Sequence, residues 1–242
     1  MTETVLLNNV DHADIRVDTS RSARFGDSVN QVEVLPTEFE LVQREYPIFF
    51  RKDSEDAYQA VALLGFDRDE NLFLGEQGWR GDYVPAILAR GPFSIGLSRT
   101  AGDTEATPEP KIHIDLDDPR VGREEGEPVF LPQGGLSPYL ERMSEVLRLI
   151  YSGVAMRGAM FEAFAAHDLI EPATVEIEID DARRYNLSGY HTINKERFAQ
   201  LDGAALEQLQ RAGFLGAAFF ALASLGNIHR LIALKNRKHH GQ

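Results

Sequence analysis

A chain of 242 residues with 43% hydrophobic side chains can bury a full core, which excludes both a disordered segment and a metal-stapled miniature. Its 38 acidic against 25 basic residues leave a formal charge of −13, which excludes a protein that coats nucleic acid or anionic lipid except through a local basic patch. The absence of cysteine removes disulfides, thiol catalysis and thiolate metal sites, and fits an expected cytoplasmic location.

Residues 1–30 are polar and weakly periodic, and read as an N-terminal arm or edge segment outside the core. No basic stretch followed by an apolar one opens the chain, so no signal peptide is expected. From Gln31 the pattern changes: Val32 and Val34 alternate with Gln31 and Glu33, as in a half-buried strand. YPIFFRKD (46–53), YQAVALLGF (58–66) and LFLG (72–75) then predict three more strands, separated by short polar links, in an antiparallel meander. A short helix is expected near Pro85, a residue suited to a first turn. FSIGLS and KIHIDLD supply two further strands, joined by the exposed loop RTAGDTEATPEP.

The period changes in the second half. Ser137-Pro138 reads as a cap and first-turn proline, and Leu136, Leu140, Met143, Leu147, Ile150 and Val154 recur at steps of three and four. That pattern predicts an amphipathic helix reaching Ala166. TVEIEID and LSGYHTIN follow as a β insertion near 174–193, and Asn194 or Asp202 reads as the cap of the helical segments that follow. A last helix is expected from Phe214 to Leu234; its apolar run Gly213–Gly226 is too short for a membrane span and reads as a buried core helix. Strands first and helices later favour an α+β fold: an antiparallel β-rich half (31–130) packed against a mainly helical half (131–238) in one domain.

Several blocks, in order along the chain, carry a resemblance. These are YPIFF, VALLG, ENLFL, WRGDYVPAILARGPF, IDLDDPR, EPVFLPQGGLSPYLERMSEVL and LSGYHTINKERFAQLDGAALEQLQRAGFLGAAFFALASLGNIHRL. Together they resemble the SapC family of Gram-negative bacterial proteins. The resemblance implies a surface-layer or saccharide-uptake context, with a partner protein or a peptide- or glycan-processing role. It transfers no catalytic residue.

The candidate chemistry is sparse. Nucleophilic-serine, phosphate-loop and zinc motifs do not occur. His113 and Asp115 alternate on one strand face, the spacing of the first two ligands of a facial iron triad. His167, His191 or His229 would supply the third, and Arg120, Arg123 or Arg230 a co-substrate contact. The bland alternative is a solvated strand face; it is adopted, so no cofactor is predicted, with iron and an oxygenase- or hydrolase-like activity as the competing reading. The carboxylates of DRDEN (67–71) read as a solvated turn. Trp79, Arg80, Tyr83 and Arg90 form the leading candidate site, because aromatic faces and guanidinium forks suit a protein, peptide or glycan partner. The alternative is a tryptophan spent on anchoring a hairpin. Arg230, Lys235, Arg237 and Lys238 make the one basic patch, read first as cations offsetting a helix C-terminus.

Overall fold

A computed structural model describes residues 3–98, 109–180 and 183–240; most of the RTAGDTEATPEP loop lies outside them. In chain order the elements are β1 (Thr4–Leu6), β2 (Arg16–Val17), β3 (Gln31–Val34), α1 (Phe39–Val42), β4 (Ile48–Lys52), β5 (Tyr58–Leu63), β6 (Leu74–Gly75) and β7 (Gly78–Trp79). These are followed by α2 (Ala86–Ala89), β8 (Phe93–Ser98), β9 (Glu109–Asp115), β10 (Val121–Gly122), β11 (Glu127–Pro128) and the 29-residue α3 (Pro138–Ala166). The chain closes with β12 (Ile170–Asp180), β13 (Arg183–Ile193), α4 (Lys195–Ala199), α5 (Gly203–Arg211), α6 (Leu215–Ser224) and α7 (Ile228–His240). The fold is α+β, and every named strand pairing is antiparallel.

The chain divides into two discontinuous compact units, one built from residues 1–26 and 86–151, the other from 27–85 and 152–242. In the first, two three-stranded sheets (β1-β9-β8 and β10-β2-β11) enclose Ile15, Val17, Phe93, Ile114, Val129 and Leu140. Ile15 and Val17 are 2% and 0% exposed, so the N-terminal segment supplies core side chains instead of lying outside as an arm. The signal lies in the short run Ile15-Arg16-Val17, whose period-two pattern is too brief to stand out from its polar flanks.

The second unit is organised by a five-stranded sheet in the order β12-β13-β4-β5-β3. Ile48, Phe49 and Phe50 in succession are 3% exposed or less, so both faces of β4 are covered, as its continuous apolar run requires. Phe161 meets Phe50 edge-on at 5.1 Å, with Phe164 6.2 Å away. LFLG forms no strand of this sheet: Leu74 and Gly75 instead pair with Trp79 and Gly78 in a separate two-stranded ribbon.

Helix α3 follows its predicted stripe only at first. Leu140 and Leu147 are buried, but Val154 is 49% exposed. A repeat of 3.5 drifts about 20° per heptad on a 3.6-residue helix. Beyond Tyr151 the helix belongs to the second unit and buries a different face, Gly153, Met160 and Phe164. A Cβ on Gly153 would lie 2.6 Å from the Leu35 side chain, so the helix approaches as closely as it does because that residue is glycine. Ser137 Oγ accepts from Leu140 N, and Asn194 and Asp202 cap α4 and α5 in the same way.

Helix α6 buries a face of small residues, Ala217, Ala218, Ala221 and Ser224, while Phe219 is 58% exposed. Ser224 Oγ accepts from Ile48 N at 2.9 Å, tying the helix to β4. The run is therefore half buried, where a wholly buried core helix is expected from its composition. The helical stretch Leu215–Lys238 has the length and mean hydropathy, 1.5, of a membrane span, with one third of its apolar window buried.

Lys235 on α7 is 2% exposed. Its ammonium donates to both Glu70 oxygens at 2.8 Å and to Asp67, and Lys238 reaches Glu70 at 2.9 Å. Glu70 is thus a buried ion-pair partner, not part of a solvated turn. Burial alone would raise its pKa, but Lys235 and Lys238 hold it below its ordinary value; Asp67 is likewise lowered, first through its bond from Lys235. Carboxyls lowered in the folded state contribute stability that is full above their unfolded values and lost as pH falls through the folded ones. Lys235→Met leaves the buried Glu70 with Lys238 as its remaining cation, and should cost about 2 kcal/mol by urea unfolding at neutral pH. The difference from the parent should shrink as the pH falls below the ordinary carboxylate range and on through the depressed folded values. An undiminished difference at acid pH would contradict this role.

Candidate functional site

Two buried carboxylates bracket α1. Glu38, wholly buried, accepts from Leu35 N at 3.0 Å and from the Tyr83 hydroxyl at 2.7 Å. Glu45, 6% exposed, accepts through Oε1 from the backbone N–H groups of Asp82 (2.8 Å) and Tyr83 (3.0 Å), while Oε2 pairs with Arg230 at 3.1 Å. Between these anchors the Tyr46 hydroxyl donates to the Tyr83 carbonyl and accepts from Trp79 Nε1 at 2.9 Å. Burial drives the Tyr46 and Tyr83 pKa values upward, for Tyr83 with help from Glu38, so both phenols stay protonated as donors. Phe73 fills the space beneath, stacked on Trp79 at 6.3 Å and tilted against Tyr46 at 4.5 Å. A Cβ on Gly81 would fall 2.5 Å from Tyr46 Oη and 2.7 Å from Glu45 Oε2, so glycine is what lets the loop close over this network.

The four candidate residues therefore separate. The Trp79 ring is half-buried with its N–H turned inward; its edge lines a shallow hollow with Glu76, Gln77 and Arg80. Tyr83 is half-buried and held by Glu38. Arg90 belongs to the other unit, where its guanidinium donates to the Phe93 carbonyl at 2.9 Å. Of the four, Arg80 alone is exposed, with its backbone N–H fixed to the Phe73 carbonyl at 2.7 Å.

Arg80 opens onto a cleft of about 660 Å³ that α7 completes. Phe73 and Leu234 supply apolar lining; Arg80, Arg230, Arg237 and Lys238 supply cations, and Glu76 one anion. Arg230 is committed to Glu45 and lies 5.5 Å from the Phe73 ring centroid; Lys238 is committed to Glu70. Among the described residues, the guanidiniums of Arg80 and Arg237 make no ion pair. The part of Arg230 and Arg237 in this cleft was hidden by their place in the basic tail. Their seven-residue spacing puts both on one helical face, and that was the available signal. Asn227 donates to the Gln43 and Tyr46 carbonyls, which fixes the entry of α7 beside α1.

His113 and Asp115 find other uses. His113 Nδ1 lies 3.1 Å from the Lys111 carbonyl, and Asp115 accepts from Asp117 N at 3.1 Å. His167, His191 and His229 all lie in the other unit, and among the described residues no three His, Asp or Glu side chains converge as a metal site. The residues present do not fit the iron triad.

Fold and site together describe an α+β protein whose aromatic–carboxylate truss holds one arginine at a cationic cleft. The SapC family matches residues 7–231, nearly the whole chain, and the protein belongs to that family. No curated protein and no solved structure matches it.

Gly81→Ala should lower the unfolding free energy by about 2 kcal/mol, the cost of forcing a methyl group into a filled space. Chemical denaturation measures this directly; an unchanged midpoint would show that the loop has room to spare.

Proposed function

We propose that this protein is a non-catalytic accessory protein that binds an acidic peptide segment of a partner through the cleft of Arg80 and Arg237. The observation that carries the reading is the pair of unneutralised guanidiniums over an apolar floor, in a chain whose net charge is −13. Each guanidinium can take a carboxylate through two parallel N–H donors, the arrangement that gives arginine its directional grip. Phe73 and Leu234 can cover the aliphatic part of such a segment. The strongly acidic remainder of the surface disfavours a long polyanion, so a short acidic stretch is the better complement. Trp79 and Tyr83 serve this function at one remove, by fixing the loop from which Arg80 projects.

Fluorescence polarisation with an Asp/Glu-rich peptide, and with a Lys-rich peptide of equal length, tests the reading. The acidic peptide should bind, and the combined Arg80→Ala and Arg237→Ala substitutions should weaken it about tenfold or more, the loss of one or two charge-assisted bonds. Raised salt should weaken it as well. Equal binding of the basic peptide, or unaltered binding by the double variant with its unfolding midpoint preserved, would reject the proposal.

A further inference from the structure

The first unit contains a smaller cavity, of about 190 Å³, that is independent of the cleft described above. It is lined by Tyr139, Arg21, Arg120 and Arg142, with Asp18 and Glu127 also contributing. Tyr139 sits at the start of α3 and is 6% exposed. Its ring is packed inside while its residue lines the cavity, and among the described residues no protein group takes up its hydroxyl. Burial raises its pKa to about 12 despite the nearby cations Arg21, Arg120 and Arg142, so the group remains a proton donor.

Two of the three surrounding guanidiniums are held in place. Arg21 donates to the Leu88 carbonyl at 2.7 Å and to that of Ala89 at 3.3 Å. Arg120 donates to the Phe25 carbonyl and to Asp118, and stands 4.8 Å from the Phe25 ring centroid. Arg142 is exposed and makes no ion pair among the described residues. On the acidic side, Asp18 is paired with Arg24 at 2.5 Å and Glu127 is exposed. A phenol donor lining a cavity with two anchored guanidiniums and a third, unanchored one is the complement of a small oxyanion. The volume is below the range of drug-sized ligand pockets, about 300 Å³ and upward, which excludes a peptide or nucleotide.

We propose that this cavity binds a small oxyanion of the phosphate or carboxylate class, with Tyr139 donating its hydroxyl and Arg142 closing the mouth. The test uses inorganic phosphate, with acetate as the carboxylate arm and chloride at matched ionic strength as the control. Thermal unfolding and calorimetric titration of the full chain should show saturable binding of phosphate or acetate and an upward shift of the midpoint that chloride does not reproduce. Tyr139→Phe removes only the hydroxyl. Without anion it should leave the midpoint nearly unchanged, because the hydroxyl lines the cavity and no protein group depends on it. It should also weaken anion binding at least fivefold, and Arg142→Ala should do the same. Absence of saturable binding by either anion would overturn the proposal. So would a response that survives both substitutions, whether or not it depends on Arg80, since that anion would be bound elsewhere.

Discussion

The second unit depends on two carboxylates, Glu38 and Glu45, that are removed from water and must be satisfied inside the protein. A buried ionised group without partners is among the largest penalties a fold can carry. Glu45 is met by two backbone N–H groups of the 81–83 loop and by Arg230, and Glu38 by the Tyr83 hydroxyl and the Leu35 N–H. The loop cannot move away without stranding both. Its position, and with it the direction of Arg80, follows from that constraint.

A third buried carboxylate, Glu70, applies the same logic to α7. Lys235 and Lys238 satisfy it and so fix the helix against the 67–71 turn. Arg230 and Arg237 lie on the cleft side of that helix, while Arg80 comes from the loop held by Glu45. The cleft is therefore bounded by two segments, each held by its own internal charge pairing. Cations needed for internal pairing are spent there; among the described residues Arg80 and Arg237 make no ion pair, which is why the proposed binding role falls to them.

Local patterns were legible in the sequence because their causes are local. The alternation of Val32 and Val34, the Ser137-Pro138 cap, and the caps at Asn194 and Asp202 each depend on residues a few positions apart, and the structure contains them all. The insertion near 174–193 is likewise present, extended to β12 and β13 over 170–193. What stayed illegible is long-range. Glu70 looked like a member of a solvated turn because its partner Lys235 is 165 residues away. Nothing near Glu45 in the sequence marks it, because the donors it needs lie 37 and 38 positions on. The candidate site was legible as a block, WRGDYV, but its division of labour was not: an indole that faces inward and a guanidinium that faces outward are adjacent letters.

The central claim is that Trp79 is a strut of this truss and Arg80 is not. Double-mutant cycles on unfolding free energy measure that directly. Trp79→Phe and Tyr46→Phe should couple by about 0.5–1.5 kcal/mol, as contacting residues in one hydrogen-bond network do, whereas Arg80→Ala and Tyr46→Phe should be additive within about 0.3 kcal/mol. Additive effects at Trp79, or strong coupling at Arg80, would contradict the account.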